Sequence, residues 1–417
     1  MFLERLELQH FRNYQHQFID FAAPKTILLG DNAQGKSNVL EAIELLATMR
    51  SHRVYRDRDL VQSGESCSKV QAILKRNDAT TYLSMLLRTS GRRTVSLNQE
   101  TLKRQLDLLG VLSIVQFSCL DLELVRGGPA ERRRWLDNLL VQLEPYYAYL
   151  LHQYNRVLRQ RNTVLKARQA GRLSRTKHKV YAQGPDSPTA KLQPTEGFAT
   201  HAATPDVSAD GAADDLGVWN TQLVAIGTRI IRRRARALDR LLPLACHWHQ
   251  QLSGSEETLN LLYQPNTAGL ELIQADDPQA IQAAFAEKLA ARAEAELYQG
   301  SSLVGPHRDD LDMQVDGKPA RYYSSQGQQR TIVLALKLAE LKLIDSVIDD
   351  PPILLLDDVL AELDLKRQGQ LLEAIHDRFQ TLITTTHLNI FDQSWVQSAQ
   401  LFTVRAGTLL ESSSASV

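Results

Sequence analysis

Gly30-Asp31-Asn32-Ala33-Gln34-Gly35-Lys36-Ser37 reads G-x-x-x-x-G-K-S, the spacing of a phosphate-binding loop. The residues before it, Lys25-Thr-Ile-Leu-Leu29, have the composition of a short buried strand. Those after it, Asn38-Val-Leu-Glu-Ala-Ile-Glu-Leu-Leu46, place apolar side chains at helical spacing. Strand, glycine loop and helix form the context the motif requires. The glycines let consecutive N–H groups turn inward toward phosphate oxygens, and the helix N-terminus adds partial positive charge at the same point. In that arrangement Lys36 reaches the β- and γ-phosphates of a bound nucleotide and the Ser37 hydroxyl ligates Mg²⁺. A chance glycine turn accounts for the loop but not for both flanks.

Four downstream elements bear on this loop. Ile353-Leu-Leu-Leu-Asp-Asp358 is a continuous apolar run ending in two carboxylates, the pattern of a buried parallel strand. Ligands of open α/β sheets sit at the carboxyl ends of such strands, so Asp357 is expected beside the phosphate loop as a metal partner. Asp358 is then placed to act as a general base on the attacking water. Ser324-Ser-Gln-Gly-Gln-Gln-Arg330 leads into a helix and has the composition of either a phosphate-facing N-terminus or an ordinary helix cap. His387 closes the apolar strand Leu382–Thr386, as a structural histidine or as a γ-phosphate sensor. Gln116 ends a strand predicted over 111–115 and either reaches the metal-bound water or is a surface glutamine.

With 417 residues the chain is long enough for two or three domains. Met1-Phe-Leu-Glu-Arg-Leu-Glu7 has charges where a signal peptide needs apolar residues, and no run approaches a membrane span. The three cysteines, Cys67, Cys119 and Cys246, are far apart, which argues against a zinc site and fits a reducing cytoplasm.

Formal net charge is zero, but its distribution is uneven. Residues 131–180 hold twelve Lys and Arg against three acids, an excess of nine. A helix over 130–168, at about 1.5 Å per residue, exceeds ordinary globular length unless Pro145 interrupts it, which is expected. A second basic helix is predicted over 219–251. Arg132, Arg133, Arg134, Arg232, Arg233 and Arg234 are the candidate DNA-phosphate contacts, with a solvated helix face as the plain alternative. Residues 169–216 are rich in Gly, Pro, Ala, Thr, Ser and Asp and are predicted to be a disordered insert.

In order, then, come Walker A, the signature-like Ser325-Gln-Gly-Gln328, Walker B at 353–358, Glu362-Leu-Asp364 and His387. This succession resembles the ABC-type ATPase heads of DNA-repair and chromosome-organising proteins. Four stretches are similar more specifically to the bacterial RecF family of DNA replication and repair proteins. They are Gly30–Ser37, Gly305-Pro-His-Arg-Asp-Asp310, Ser325–Arg330 and Leu356-Asp-Asp-Val-Leu-Ala-Glu-Leu-Asp364. Phe11-Arg-Asn-Tyr14 and Gly128–Asp137 match as well.

The resemblance implies an α/β ABC-type head, a mixed sheet around a P-loop core. Its halves lie at 1–125 and 300–417, and a mainly helical arm at 126–299 is inserted between them. It implies ATP and Mg²⁺ as ligands, with Asp357 a second metal partner, Asp358 the catalytic carboxylate and Arg12 near the nucleotide. Ser325, Gly327 and Gln328 would act on the γ-phosphate held by a second copy of the chain, and Asp364 would lie at that seam. It further implies a slow, DNA-stimulated ATPase in the cytoplasm that binds double-stranded DNA near gaps. With RecO and RecR it would assist RecA loading, replication-fork recovery and SOS induction. The main alternative, the nucleotide-binding subunit of an ABC transporter, would have a much shorter helical insert. A P-loop kinase or GTPase would leave the signature and His387 unexplained.

Overall fold

The structure is a computed structural model. It describes residues 1–76, 79–181, 211–254, 257–267, 276–375, 378–389 and 391–412. The chain divides into two compact units. One comprises Met1–Tyr149, Arg236–Gln264 and Asp310–Val417, the other Leu150–Ala235 and Pro265–Asp309.

The first unit is built on two six-stranded sheets and one three-stranded sheet. In the sheet that carries the chemistry, the apolar strand Lys25–Leu29 lies between Thr381–Thr385 and Gln400–Arg405, and Ile353–Asp357 follows Thr381–Thr385. Ile114–Ser118 completes the parallel set, and Thr408–Ser412 adds an antiparallel edge. Parallel strands buried on both faces read as unbroken apolar runs, as Ile353-Leu-Leu-Leu356 does. The parallel register puts Leu29 level with Thr385, and Asp357 level with Thr384 and Ser118. The carboxyl ends of the strands, with the loops that leave them, thus line one edge.

The second six-stranded sheet is antiparallel. It begins with Phe2–Phe11, Tyr14–Asp20, Cys67–Arg76 and Ala79–Arg88, whose inward residues alternate with polar ones. The helix Lys36–Thr48 packs against both sheets, burying Val39, Leu40, Ile43, Leu45 and Leu46 in one shared core.

Pro145 separates two helices, Pro129–Leu143 and Tyr146–Tyr181, as its lost N–H and fixed φ demand. The second continues through Tyr181, and the next helix begins at Gly211 and runs to Ser253. Both ends of the predicted disordered insert are therefore helical. Residues 169–181 contain Gln, Ala, Arg, Leu and Lys, good helix formers, and the disorder expected of them came from the Gly-, Pro-, Ser- and Thr-rich composition of 169–216 as a whole. Positions 182–210 lie outside the described residues. Residues 278–299 form two helices, Pro278–Ala291 and Ala293–Gln299. Among the described residues, no helix is long and apolar enough to cross a membrane.

Candidate nucleotide-binding site

The phosphate loop leaves its strand at Leu29 and enters its helix at Lys36. Gly30 has no room for a side chain: a Cβ there would stand 2.5 Å from the Val404 carbonyl oxygen. Gly35 adopts φ 117°, and a Cβ there would strike Asn13 and the Tyr14 hydroxyl. The loop is braced from two sides. Asn13 Nδ2 donates to Gln34 O at 2.9 Å and the Tyr14 hydroxyl to Gly35 O at 3.0 Å. On the other side Gly407 N donates to Gln34 O, and Ala406 N to Gln34 Oε1 at 2.7 Å. Asp31, Asn32 and Ala33 form the exposed tip.

Lys36 is buried and its ammonium donates to Gly30 O at 2.7 Å and Asp31 O at 3.0 Å. Ser37 Oγ donates to Asp357 Oδ1 at 2.7 Å, and Thr384 Oγ1 donates to the same oxygen at 2.8 Å. Thr384 Oγ1 also accepts from Asp358 N, at 2.9 Å. Asp358 has φ 54°, an uncommon conformation for a non-glycine residue. Burial, then the charges of Asp357 and Glu362, push its carboxyl above the ordinary aspartate range, against the pull of Lys36. Lys36, Ser37, Gly35, Asn38, Arg12, Arg53 and Asp358 line a cavity of about 480 Å³.

This arrangement fits a nucleotide triphosphate with a hard divalent cation. Among the described residues, no three His, Cys, Asp or Glu side chains are grouped to hold a metal unaided. Magnesium in nucleotide sites needs only one or two protein oxygens beside phosphates and waters, and Ser37 and Asp357 supply that number.

Arg12 also reaches the cavity, with φ 54°. Its guanidinium grips the fully buried Glu41 with two bonds, of 2.9 and 2.6 Å, and donates to Asp59 O at 2.9 Å. Gln116 is within its strand rather than at the end, and its amide lies 3.3 Å from His52 Nδ1. It is not among the residues lining the cavity. His52 is held by Glu44 at 2.5 Å. Burial opposes its positive charge, but the Glu44 bond and the charges of Glu44, Glu41 and Asp357 outweigh it, so its pKa is raised. His387 is exposed just beyond its strand, its backbone fixed by the Thr385 hydroxyl.

The signature segment caps the helix Gln326–Ile348. Ser325 Oγ accepts from Gln328 N at 3.2 Å, and Gln328 Oε1 accepts from Ser325 N at 2.7 Å, a capping box. Gly327 occupies the first turn, where a Cβ would meet little. Arg330 donates to Glu362 O at 2.6 Å, tying this helix to the segment after Walker B. Asp364 is an N-cap, accepting from Arg367 N at 2.9 Å, and that bond holds its carboxyl below the ordinary range. Beneath the signature, the same helix buries Lys337. Its ammonium is 3.4 Å from Asp121 and 3.3 Å from Glu340, and Trp135 donates to Glu340 at 2.9 Å.

The six arginines assigned to DNA differ in burial and in their partners. Arg132 is buried and paired through two bonds with Asp310, and Arg234 is buried and paired with Asp309 at 3.0 Å. Neither is available to a phosphate, which corrects the expectation for these two. A helix carrying three successive arginines turns one of them inward, and there an acid was waiting. Arg134 pairs with Glu131 and lies over the Tyr55 ring, and Arg232 pairs with Asp276. Arg133 and Arg233 are half-exposed. Exposed cations that the spacing did not single out include Arg156, Arg159 and Lys166 on one helix and Arg229, Arg236 and Arg240 on the other. On the loop after the first helix, Arg50, Arg53, Arg56 and Arg58 are exposed around Tyr55. Asn13, Tyr14 and Thr384 are further site residues missed in the sequence. Only Phe11–Tyr14 left a trace there, as a matched stretch.

The family model for the RecF/RecN/SMC N-terminal domain matches residues 2–409. A DNA replication and repair protein RecF from Cyanothece sp. is 54% identical over 412 residues, covering 99% of this chain and 98% of that protein. One from Nostoc punctiforme is 53% identical over 410 residues. These alignments cover nearly the whole chain, the predicted insert at residues 169–216 included. Among solved structures, a recombination mediator protein RecF with ATP, described as part of the RecFOR pathway, matches with a TM-score of 0.81 and 28% identity. It covers 99% of this chain and 98% of that one. An Smc head domain from Pyrococcus furiosus, 15% identical with a TM-score of 0.51, shares the fold. These matches bear out the ABC-type head and set aside the transporter alternative. By its full-length match to these proteins, the chain belongs to the RecF family of DNA replication and repair proteins, ATPases with an SMC-like head.

Proposed function

We propose that this protein is an ATP- and Mg²⁺-dependent, DNA-stimulated ATPase that closes as a homodimer around double-stranded DNA near single-strand gaps. The observation that carries the catalytic half is the 2.7 Å bond between Asp357 and Ser37, which lines the cavity together with Lys36. Gly30–Ser37 cradle the phosphates, and Lys36 exchanges its two carbonyl partners for phosphate oxygens. Ser37 and Asp357 hold the metal, which when bound neutralises charge on the phosphates. Asp358, with its raised pKa, takes the proton of the attacking water. Gln116 does not line the cavity, so we assign it no contact with that water. His387 follows the strand that lies between those bearing the phosphate loop and Asp357, which suits a γ-phosphate sensor.

Arg12 acts by holding Glu41 and closing one wall of the cavity. Ser325, Gly327 and Gln328 meet the γ-phosphate of a second copy, with Asp364 near that seam. One triphosphate touching two protomers favours the closed pair by its differential affinity. The first compact unit is the ATPase head and the second is the core of an arm. The exposed Arg156, Arg159, Lys166 and Arg229, with Arg133 and Arg233, supply DNA-phosphate contacts, and the Arg50–Arg58 loop adds cations on the head. The RecFOR description of the solved relative supports RecO and RecR as partners, in the service of RecA loading on gapped DNA.

The test is ATP hydrolysis with and without duplex DNA. Wild-type protein is expected to speed up with DNA. Lys36→Arg is expected to bind nucleotide and lose turnover. Turnover that ignores both DNA and Lys36 would overturn this function.

A further inference from the structure

Two residues expected to touch the γ-phosphate across the dimer, Ser325 and Gln328, are engaged within their own chain. Their capping box uses Ser325 Oγ and Gln328 Oε1. The remaining polar group of Gln328, its amide Nε2, donates to Glu257 Oε1 at 2.9 Å. Glu257 stands just before the strand Leu259–Gln264, 71 positions from Gln328. Nothing in the sequence pairs the two. On the far side of Glu257, the buried His249 Nε2 is 4.0 Å from Oε2.

We propose that Glu257 is a positioning residue that restrains the signature and sets how much ATP is needed to close the dimer. This rests on the reading of the signature as acting on a nucleotide held by a second copy. An amide nitrogen has two hydrogens, and Gln328 spends one on a carboxylate. A phosphate approaching the other would meet that carboxylate's charge at close range, and like charges brought together at an interface oppose association. Either Gln328 leaves Glu257 when the partner's ATP arrives, or two anions share one amide. Both cost association free energy that only a fully charged γ-phosphate, bound from two sides, recovers. The contact therefore holds heads apart when only ADP is bound. It is a repulsive element that selects one nucleotide state over another.

The experiment measures mass in solution while ATP is titrated into the full-length protein. Glu257→Gln keeps an acceptor for the Gln328 amide and removes the charge. Its dimerisation midpoint is expected to fall by about tenfold in ATP. Monomer affinity for a fluorescent ATP analogue is expected to stay the same. Glu373→Gln, the same charge change at an exposed helix position, is expected to leave the midpoint in place. A Glu257→Gln midpoint that is unchanged or higher overturns the proposal, as does an equal drop with Glu373→Gln. Ser325→Arg separates the two levels. If it still dimerises with ATP, the trans-acting signature itself is wrong. If it does not, and Glu257→Gln behaves as wild type, only the restraint is wrong.

Discussion

Ser37 and Asp357 are 320 positions apart in the chain, yet the hydroxyl of one donates to the carboxylate of the other at 2.7 Å. The bond preassembles two oxygens suited to one cation. Ser37→Ala and Asp357→Asn are each expected to remove the gain in ATP affinity that Mg²⁺ gives. Nucleotide titrations with magnesium and with chelator check this. Wild-type affinity should rise at least tenfold with the metal, the scale of a well-placed charged contact, and the variants should rise little. A variant that gains as much as wild type would show that the pair does not hold the ion.

Burial sorts the arginines into two groups with opposite expected behaviour. Replacing Arg156, Arg159 and Lys166 together with Gln should weaken duplex binding for all sequences alike and leave thermal stability nearly unchanged. The slope of log affinity against log salt should flatten by roughly 0.9 per lost contact. Arg132→Gln leaves Asp310 without its two-bond partner and should lower stability by roughly 3 kcal/mol, seen in urea unfolding. If Arg132→Gln unfolds like wild type, the Asp310 pair is not the fixture its burial implies.

Lys337 is buried with two acids against it. Burial alone would lower its pKa, but Asp121 and Glu340 outweigh that and push it up to about 12. The ammonium therefore stays charged across the physiological range. Lys337→Met would strand those acids and should cost roughly 3 kcal/mol in urea unfolding. Lys337→Met combined with Glu340→Gln should recover part of the loss, because one of the stranded charges goes with it.

His249 gives the expected pH response. Burial lowers its folded-state pKa, and the Glu257 carboxylate only partly opposes this. Between the lowered folded value and the ordinary value of about 6.5, the unfolded chain binds more protons. The contribution to stability is therefore complete above that ordinary value and is lost as pH falls below it. Thermal unfolding from pH 7.5 to 5.5 should show a shallower decline in His249→Gln than in wild type. Parallel declines would mean the ring titrates alike in both states.

How much of this could be read from residues alone follows a physical divide. The phosphate loop, the Asp357 strand and the signature cap are local chemistry: glycines where backbone must bend, an apolar run ended by acids, a serine three places before a glutamine. Each was legible, and Pro145 marked its helix break correctly. Burial of Arg132 and Arg234 was not legible, because it depends on Asp310 and Asp309 arriving from far along the chain. The helix running on to Tyr181 was missed because the composition of 169–216 was weighed as a whole. Gln116 was placed at a strand end, whereas it lies within the strand Ile114–Ser118 with its amide 3.3 Å from His52 Nδ1, a residue 64 positions away in the chain. Glu257 carried no signal at all, since only the fold brings it to Gln328.

The central claim is that ATP joins two copies of this chain. Mass in solution, measured with ATP and Mg²⁺, with ADP and Mg²⁺ and with no nucleotide, tests it most directly. A pair of chains bridged by ATP gives twice 46.9 kDa with ATP, and a single 46.9 kDa chain is expected in the other two conditions. The same mass in all three would contradict it.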